Sequence, residues 1–334
     1  MKDLIKRLTE TYGPSGNEDL IREQIKKEIK GLASEVKTDV LGNLIAVKKG
    51  KGRKVMVAAH MDEIGFIVTH IDKQGFLRVS NIGGIYLHNV LAQRVIFANG
   101  TVGTINEERA ETPSDAKRMD KLYIDIGAST KREAEAKVAV GDVAGFHRGC
   151  TFLGNRVIAK SMDDRIGCAI MIEVMKKLKS SPNEIYFVFT TQEEVGLRGA
   201  TTAAFGITPD LGIAVDITGA FDTPDEKPKL PSVLGGGAAI KVKDAGLLAH
   251  PAVKKLMIET AKANKIPYQL DILEGGTTDG AAIYKTKSGI PTGVISVPTR
   301  YAHSASEMVD MVDVKASVDL LVKLLSLNLQ QKGF

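Results

Sequence analysis

The stretch from Phe187 to Gly199 most constrains how this 334-residue chain can fold. A short run of apolar aromatic and β-branched residues leads to two adjacent carboxylates, Glu193 and Glu194, and a turn containing glycine follows. This pattern is typical of a buried parallel strand that brings the two acids to the carboxyl edge of a sheet, where open α/β folds bind ligands. Because burying two unpaired carboxylates is costly, we expect a cation beside them. Taken alone, the pair is better explained as two solvated glutamates at a strand end.

Three further predicted strands also end in polar side chains. His60 and Asp62 follow the apolar run 54–59 and lie on the same side of an extended chain. Asp62 can therefore hold the His60 imidazole in one tautomer while the other ring nitrogen binds a metal. A solvent-facing His–Asp pair explains this spacing equally well. Asp216 ends an apolar strand, and His303 follows the last predicted strand.

Two predicted helix starts carry acidic side chains. Asp163 and Asp164 stand between a strand and the helix predicted over 168–178. Helix capping is the alternative role for this pair, because aspartate is a favourable N-cap residue, and one of the two could do only that. Near the N-terminus, Ser15 and Glu18 have the spacing of a capping box.

Together, these predicted strand ends and helix starts provide two imidazoles and several carboxylates at one sheet edge. A mixed set of histidine and carboxylate ligands suits zinc or cobalt, whereas an all-oxygen set suits magnesium or calcium. Two histidines and three carboxylates are too many ligands for one catalytic metal with an open position. They fit two metals about 3.5–4 Å apart that share a bridging carboxylate, a geometry known from several classes of hydrolase.

The region from about residue 69 to 155 has a different sequence pattern from the rest of the chain. Short alternating runs are separated by regularly spaced glycine turns, which predicts a small β-barrel or sandwich. We therefore predict a discontinuous α/β domain formed by residues 1–68 and 156–334, with residues 69–155 inserted as a β domain. Two polar stretches, 106–121 and 224–231, are predicted to be loops.

Composition excludes several classes of function. The net charge of +5 is spread over the chain without an arginine-rich arm, so nucleic acid is not an expected partner. No stretch has the length of a membrane span. Two cysteines outside any CxxC motif, and an amphipathic rather than signal-like N-terminus, lead us to expect a cytoplasmic protein.

The chain resembles the M42 metallo-aminopeptidases, which are relatives of the M20 and M28 zinc peptidases. The resemblance covers essentially the whole chain and is carried by five segments in the family's order, AAHMDEIG, KSMDDRIG, TTQEEVGLRGA, AVDIT and TRYAHSASEM. It implies a three-layer α/β/α domain of the zinc-peptidase (phosphorylase/hydrolase-like) type with an inserted small, PDZ-like β-barrel. It also implies an enzyme that removes N-terminal residues from peptides.

The resemblance further implies a ligand set for two divalent metal ions, with Zn²⁺ preferred and Co²⁺ as the alternative. In this set, Asp163 bridges both metals. Glu194 and His303 complete one metal site, and His60 and Asp216 complete the other.

The resemblance also implies roles for residues that do not bind the metals. Glu193 is the expected general base, and Asp62 orients a histidine ligand. Asp164 would follow the bridging aspartate across a cis peptide bond. Thr278 and Asp279, which follow a Gly–Gly pair, are expected to contact substrate.

The main alternative is an endoglucanase-type glycoside hydrolase that uses the same carboxylates, because members of this family have carried endoglucanase labels. Glycosidases place two acids roughly 5–9.5 Å apart across the sugar and need no histidine ligands. Clefts that bind glucans are usually lined with aromatic side chains, and this chain has no tryptophan. A non-catalytic metal-dependent scaffold is disfavoured by the presence of Glu193.

We predict that the chain self-associates through the inserted domain. The exposed edge strands of a small β unit need to be covered, and a domain of this size has a limited core. The resemblance implies dimers formed through this domain, and six dimers building a hollow tetrahedral dodecamer that admits peptides. The alternative is a monomer whose β domain serves as a lid.

Overall fold

The structure is a computed structural model that describes residues 1–108, 119–224 and 232–331. Parts of both predicted loops, residues 109–118 and 225–231, lie outside the described residues. At the described ends of the first loop, a strand continues to Glu107 and a short 3₁₀ helix begins at Met119.

The described residues contain eight α-helices, and these alternate with strands in both halves of the main domain. Their bounds are α1 Lys2–Glu10, α2 Asp19–Glu28, α3 Lys131–Glu135, α4 Met162–Lys177, α5 Arg198–Ile207, α6 Pro251–Ala263, α7 Asp279–Tyr284 and α8 Met311–Ser326. None of these helices combines the length and the apolar character that a bilayer span requires.

Seventeen strands are found in the described residues, and they form two separate sheets. Their bounds are β1 Glu35–Thr38, β2 Leu44–Lys48, β3 Lys54–His60, β4 Gly65–Ile71, β5 Leu77–Ile82, β6 Arg94–Phe97, β7 Val102–Glu107, β8 Leu122–Asp125, β9 Val143–Phe146, β10 Thr151–Leu153, β11 Arg156–Ala159, β12 Glu184–Thr190, β13 Leu211–Gly219, β14 Ala238–Lys243, β15 Tyr268–Ile272, β16 Thr292–Arg300 and β17 Glu307–Asp310.

The larger sheet has the order β1-β2-β12-β3-β13-β16-β17-β11-β10, and β14 and β15 extend from β16. The central strands β12, β3, β13 and β16 are parallel to one another. Thr190 at the end of β12 is paired with His60 at the end of β3. Because parallel strands end at the same edge, the segment carrying Glu193 and Glu194 emerges beside His60.

Apolar side chains cover both faces of this sheet. In β3, Val55, Val57 and Ala59 belong to a large apolar cluster that includes residues of α1, α4 and α8. Met56 and Ala58 point to the other face, into a cluster with residues of α5 and α7. Burial on both faces explains why the central strands are almost continuously hydrophobic in sequence. The predicted three-layer α/β/α domain is confirmed.

The second sheet is a closed barrel, which confirms the predicted small β-barrel. Its strand order is β4-β5-β8-β7-β6-β9, and all pairs are antiparallel. Phe66 and Phe146 meet edge to face in its core, with ring centroids 5.7 Å apart. The domain boundaries at residues 69 and 155 stay a prediction; the barrel strands themselves run from Gly65 to Phe146.

The barrel packs directly against the main domain. Ala305, which lies between β16 and β17, belongs to the apolar cluster of the barrel. The Tyr12 hydroxyl donates a hydrogen bond to the Val143 carbonyl over 2.9 Å. The loop after β5 consequently reaches the carboxyl edge of the main sheet.

Two predicted helix starts differ from the observed ones. The predicted capping box is wrong, because α2 begins at Asp19 without a side-chain cap, and Ser15 bonds elsewhere. Helix α4 begins at Met162, earlier than predicted, but Asp163 and Asp164 have non-helical backbone angles. The regular part of this helix therefore starts after the two acids.

Candidate active site

The predicted ligands and both glutamates line a single cavity of about 680 Å³ at the carboxyl edge of the main sheet. His60 ends β3 and His303 follows β16, but Asp216 does not end its strand as predicted, because β13 continues for three residues to Gly219. Thr278 and Asp279 are not among the lining residues and are buried behind them.

The carboxylate of Asp163 lies between two imidazoles. Its Oδ1 is 2.9 Å from His60 Nε2, and its Oδ2 is 3.2 Å from His303 Nε2. The same His303 nitrogen is 3.5 Å from Glu194 Oε2. A carboxylate that presents one oxygen to each of two histidines is in the position of a bridging ligand.

Two groups of side chains bring their possible ligand atoms within 4.8 Å of one another. One consists of His60, Asp163 and Glu194, and the other of His60, Asp164 and Asp216. Asp164 is therefore a member of the second group, although the resemblance to the M42 peptidases does not assign it as a metal ligand.

Hydrogen bonds show a second task for Asp164. Its Oδ1 accepts from the backbone N–H of Gly167 over 3.0 Å, and its Oδ2 accepts from the His60 N–H over 3.2 Å. Asp164 therefore caps the regular part of α4 and ties it to the end of β3. The peptide bond between Asp163 and Asp164 is cis.

Burial and mutual repulsion raise the pKa values of Glu193, Glu194 and Asp216. Burial raises the pKa of Glu194 to about 8, and the charge of Asp163 adds to the shift. Burial also raises the pKa of Asp216 to about 8, although the nearby His60 opposes the change. Burial and the surrounding carboxylates hold the pKa of Glu193 well above its usual range. The two imidazoles only partly offset this concentration of negative charge.

The donor set fits divalent cations. Imidazole nitrogens and carboxylate oxygens converge in a nearly buried space, which is the ligand chemistry of zinc and cobalt. Of the described cationic side chains, Lys160 and Arg165 lie close behind the centre, but both face Glu63. The acids at the cavity are thus left for a cation from outside the chain.

Asp62 connects the first histidine to the glutamate pair. It is fully buried, and its Oδ1 lies 3.5 Å from His60 Nδ1. Its two oxygens accept hydrogen bonds from the backbone N–H groups of Glu193 over 3.0 Å and Glu194 over 3.2 Å. The Ser15 hydroxyl donates to it over 2.6 Å. Although burial opposes ionisation, the hydrogen bonds with His60 and Ser15 hold the pKa of Asp62 below its usual value.

Glu307 is a residue of the site that sequence reasoning missed. Its Oε2 accepts a hydrogen bond from the Asp163 N–H over 3.0 Å, and its Oε1 accepts one from the His303 N–H over 2.8 Å. One buried carboxylate thus fixes the backbone of two predicted ligands. Its only sequence signal is a glutamate four positions after the histidine in TRYAHSASEM.

A buried ion network behind the ligands was also missed. Glu63 Oε2 lies 2.5 Å from Lys160 Nζ, and Glu63 Oε1 lies 3.7 Å from Arg165 Nη2. Arg165 also donates to the carbonyl of Leu8 at the end of α1 over 2.8 Å. Because Glu63 follows the His60 segment and the two cations flank Asp163, the network ties both ligand-bearing segments together. Its signal is the charged residues inside the HMDE and KSMDDR motifs.

The barrel contributes one hydrogen bond to the centre. The Gly84 carbonyl is 2.7 Å from His303 Nδ1. Because a carbonyl can only accept, Nδ1 carries a proton, and Nε2 is the ring nitrogen directed at Asp163 and Glu194. The neighbouring Gly83 has φ +75°, and a Cβ there would come within 3.1 Å of Glu194 Oε2.

Thr278 and Asp279 have structural contacts. The Thr278 hydroxyl accepts from the Gly280 N–H over 3.2 Å and so caps the short helix α7. Asp279 accepts a hydrogen bond from the Thr190 hydroxyl at the end of β12. Its other carboxylate oxygen is buried and has no hydrogen-bond partner among the described residues. The predicted role of both residues as substrate contacts stays a prediction.

A family model described as M42 glutamyl aminopeptidase matches residues 42–320 of the chain. The chain belongs to the M42 peptidase family. It is similar to a putative aminopeptidase of Acetivibrio thermocellus, with 53% identity over 97% of this chain and 98% of the relative. It is 39% identical to a lysyl aminopeptidase of Pyrococcus furiosus, over 97% of this chain and 96% of the relative. A glutamyl aminopeptidase of Lactococcus lactis is 31% identical over 98% and 97% of the two chains.

Several solved structures with similar sequences share the fold. An aminopeptidase from the archaeon Desulfurococcus kamchatkensis superposes with a TM-score of 0.92 at 40% identity, over 97% of this chain and 94% of that one. The TET1 peptidase of Pyrococcus horikoshii is described as assembling into a tetrahedron or a large octahedral shell. It superposes with a TM-score of 0.87 at 32% identity, over 97% of this chain and 98% of that one. A Thermotoga maritima protein described as an endoglucanase superposes with a TM-score of 0.82 at 33% identity, over 96% of each chain.

Membership of the M42 family confirms the resemblance found in the sequence. This chain is a hydrolase that acts on peptides.

The barrel loop should be essential for this activity. Gly83→Ala should lower kcat/KM for peptides at least tenfold, because the new methyl group would press on Glu194 and on Ile64 Cγ2, 2.7 Å away. Gly100→Ala is the matched control, since Gly100 also has a positive φ of +86° but a Cβ there meets nothing within 4 Å. Steady-state kinetics on both variants would make the comparison, and equal losses would show that backbone strain alone is responsible.

Proposed function

We propose that this chain is a metal-dependent aminopeptidase with a two-metal centre, in which Glu193 is the general base. The observation that carries the proposal is the Asp163 carboxylate placed between His60 and His303, with Glu194 and Asp216 completing a nearly buried donor set around the same cavity. The predicted ligand assignment fits these contacts. Asp163 is the shared ligand, Glu194 and His303 belong to one side, and His60 and Asp216 belong to the other.

Divalent cations held by these residues would supply Lewis acidity, which makes a water molecule more acidic and polarises the scissile carbonyl. Zn²⁺ is the proposed ion and Co²⁺ the alternative, because both accept mixed nitrogen and oxygen ligands.

Glu193 is suited to move the proton. It lines the cavity, its side chain is only 10% exposed, and it belongs to neither group of ligand atoms. The hydrogen bond from its backbone N–H to Asp62 fixes the position of the backbone from which the Glu193 side chain extends. Glu193 takes the proton of the attacking water and returns it to the leaving amine.

The acidic cavity also explains why the N-terminal residue should be the one removed. A free α-amine can lie against the carboxylates at the centre, whereas an acylated N-terminus offers them no cation. This selection follows from the charge of the centre and needs no contact with the rest of the peptide.

The endoglucanase alternative finds little support at this site. One structural neighbour is described as an endoglucanase, but the family and the named relatives are aminopeptidases. Two histidines take part in the donor set, which glycoside hydrolysis does not need. Tyr86 and Phe221 are the aromatic side chains, apart from histidine, in the described lining of the cavity, and tryptophan is absent from the chain.

Removal of divalent metal should abolish peptidase activity, because the acids and imidazoles alone cannot polarise the substrate carbonyl. Exhaustive chelation followed by Zn²⁺ or Co²⁺ addition would be followed with amino-acid p-nitroanilides, an N-acetylated p-nitroanilide and a soluble glucan. We expect loss and recovery on the free-amine substrates only. Full activity in a verified metal-free sample would exclude the metal mechanism, and chelator-insensitive glucan hydrolysis would favour the glycosidase.

Substitution of the two adjacent glutamates should have different effects on turnover and on bound metal. Glu193→Gln should retain metal and lower kcat by about 10²–10⁴-fold, the usual contribution of a general base. Glu194→Gln should lower the amount of bound metal, because this residue contributes a ligand oxygen. Elemental analysis alongside kinetics separates the two effects, and metal loss confined to the Glu193 variant would reverse the assignment.

We also propose that the residues predicted as the inserted domain, 69–155, join subunits into dimers and that the dimers build a closed dodecamer. Support comes from a family neighbour described as tetrahedral or octahedral. Four apolar side chains of the barrel are also exposed and would be buried by such contacts, namely Tyr86, Leu91, Val102 and Val140. A closed shell would admit peptides and exclude folded proteins.

Light scattering at the assay concentration should give a mass near twelve times the 35.9 kDa of the chain. Val140→Glu should reduce that mass by placing a charge in the proposed contact, while Val40→Glu, on an exposed residue of the main domain, should not. A wild-type monomer with full activity on peptides would contradict the assembly.

A further inference from the structure

The part of the cavity beyond the metal ligands is lined mainly by glycines and by residues with uncharged side chains. Ile217, Thr218 and Phe221 continue from Asp216 along one wall, and the segment 273–277 forms another. A substrate side chain that enters this space therefore meets apolar surface along most of its length. A volume of about 680 Å³ leaves room for the longest side chains.

One carboxylate side chain lies in the described lining of this part of the cavity once the metal centre is set aside. Among the described lining residues, the charged or titratable side chains outside the predicted centre are Tyr86, at the barrel, and the carboxylate of Glu274. Glu274 is exposed, and no described side chain forms an ion pair or hydrogen bond with it. The described lining contains no lysine or arginine.

The two walls are joined by a hydrogen bond to Asp271, a buried carboxylate that also pairs with Lys241. Asp271, two residues before Leu273, has its Oδ2 2.8 Å from Lys241 Nζ, and both side chains are almost fully buried. The Oδ1 of Asp271 accepts a hydrogen bond from the Thr218 hydroxyl on the opposite wall over 3.0 Å. This hydrogen bond ties the strand that carries Thr218 to the strand that leads into Leu273 and Glu274.

We propose that this cavity selects peptides with a cationic N-terminal side chain, lysine or arginine, and that Glu274 is the residue responsible; the selection rests on the peptidase chemistry proposed above. The methylene stem of either side chain packs against Ile217 and Leu273, and its charged end reaches the Glu274 carboxylate. An N-terminal aspartate or glutamate meets a like charge without a described cation to offset it.

The test compares kcat/KM for the p-nitroanilides of lysine, arginine, methionine and glutamate. Methionine is the uncharged reference because its side chain is long and unbranched. Wild-type protein should prefer lysine and arginine to glutamate. Glu274→Gln should lower the Lys-to-Met ratio by about two- to fivefold, the usual range for a solvent-accessible ion pair, and leave the methionine value unchanged. Glu274→Lys should shift the preference toward glutamate.

Two controls make the result specific. Glu259→Gln removes an exposed carboxylate from α6, remote from the cavity lining, and should leave every ratio unchanged. The dipeptides Lys-Ala and Ala-Lys separate the first residue from the second, and the Glu274 effect should follow the first.

Three outcomes would overturn the proposal. Unchanged ratios in both Glu274 variants, with full turnover of methionine, would remove Glu274 from selection while leaving the peptidase function intact. An effect that follows the second residue of the dipeptides would place the charge contact on the other side of the scissile bond. Failure of the metal-loaded wild type to cleave any of the substrates would instead defeat the proposed function and, with it, this selection.

Discussion

The dominant physical constraint on this molecule is the concentration of carboxylates at one buried sheet edge. Asp163, Glu193, Glu194 and Asp216 lie around a single cavity together with two histidines. Each acid removed from water loses hydration that only cations or hydrogen-bond donors can replace. The surrounding structure instead holds in place the backbone segments that carry these acids. Asp62 and Glu307 hold backbone N–H groups of the ligand-bearing segments, and the ion network of Glu63 ties those segments together from behind.

The parallel strands make this concentration possible. Four neighbouring strands run in the same direction, so the segments that follow them meet at one edge although they are distant in sequence. Apolar side chains on both faces of the sheet keep the strand ends in register, as the pairing of Thr190 with His60 shows. The chemistry of the site therefore depends on a rigid apolar scaffold and on short polar segments that begin where the scaffold stops.

Much of the fold and the centre could be predicted because their signals are local. Polar side chains at or after the end of an apolar run led to His60, Glu194 and His303, and Asp216 was found in the same way although its strand continues to Gly219. Contacts between distant segments left no such signal. Ser15 matched a helix-capping pattern, yet its hydroxyl bonds to Asp62, and nothing near Glu307 in the sequence indicates that it reaches two separate backbone segments. Such partners depend on how loops pack after the sheet has formed, which local periodicity does not encode.

The hydrogen bond from His303 to the Gly84 carbonyl has a consequence for how this protein can evolve. The inserted barrel is joined to the catalytic half through the ring orientation of one histidine, as well as through its packing. A descendant that lost the barrel would keep every side chain of the centre but would free that imidazole to rotate. Changes in the barrel can therefore act on the centre through the position of the Gly83–Gly84 turn.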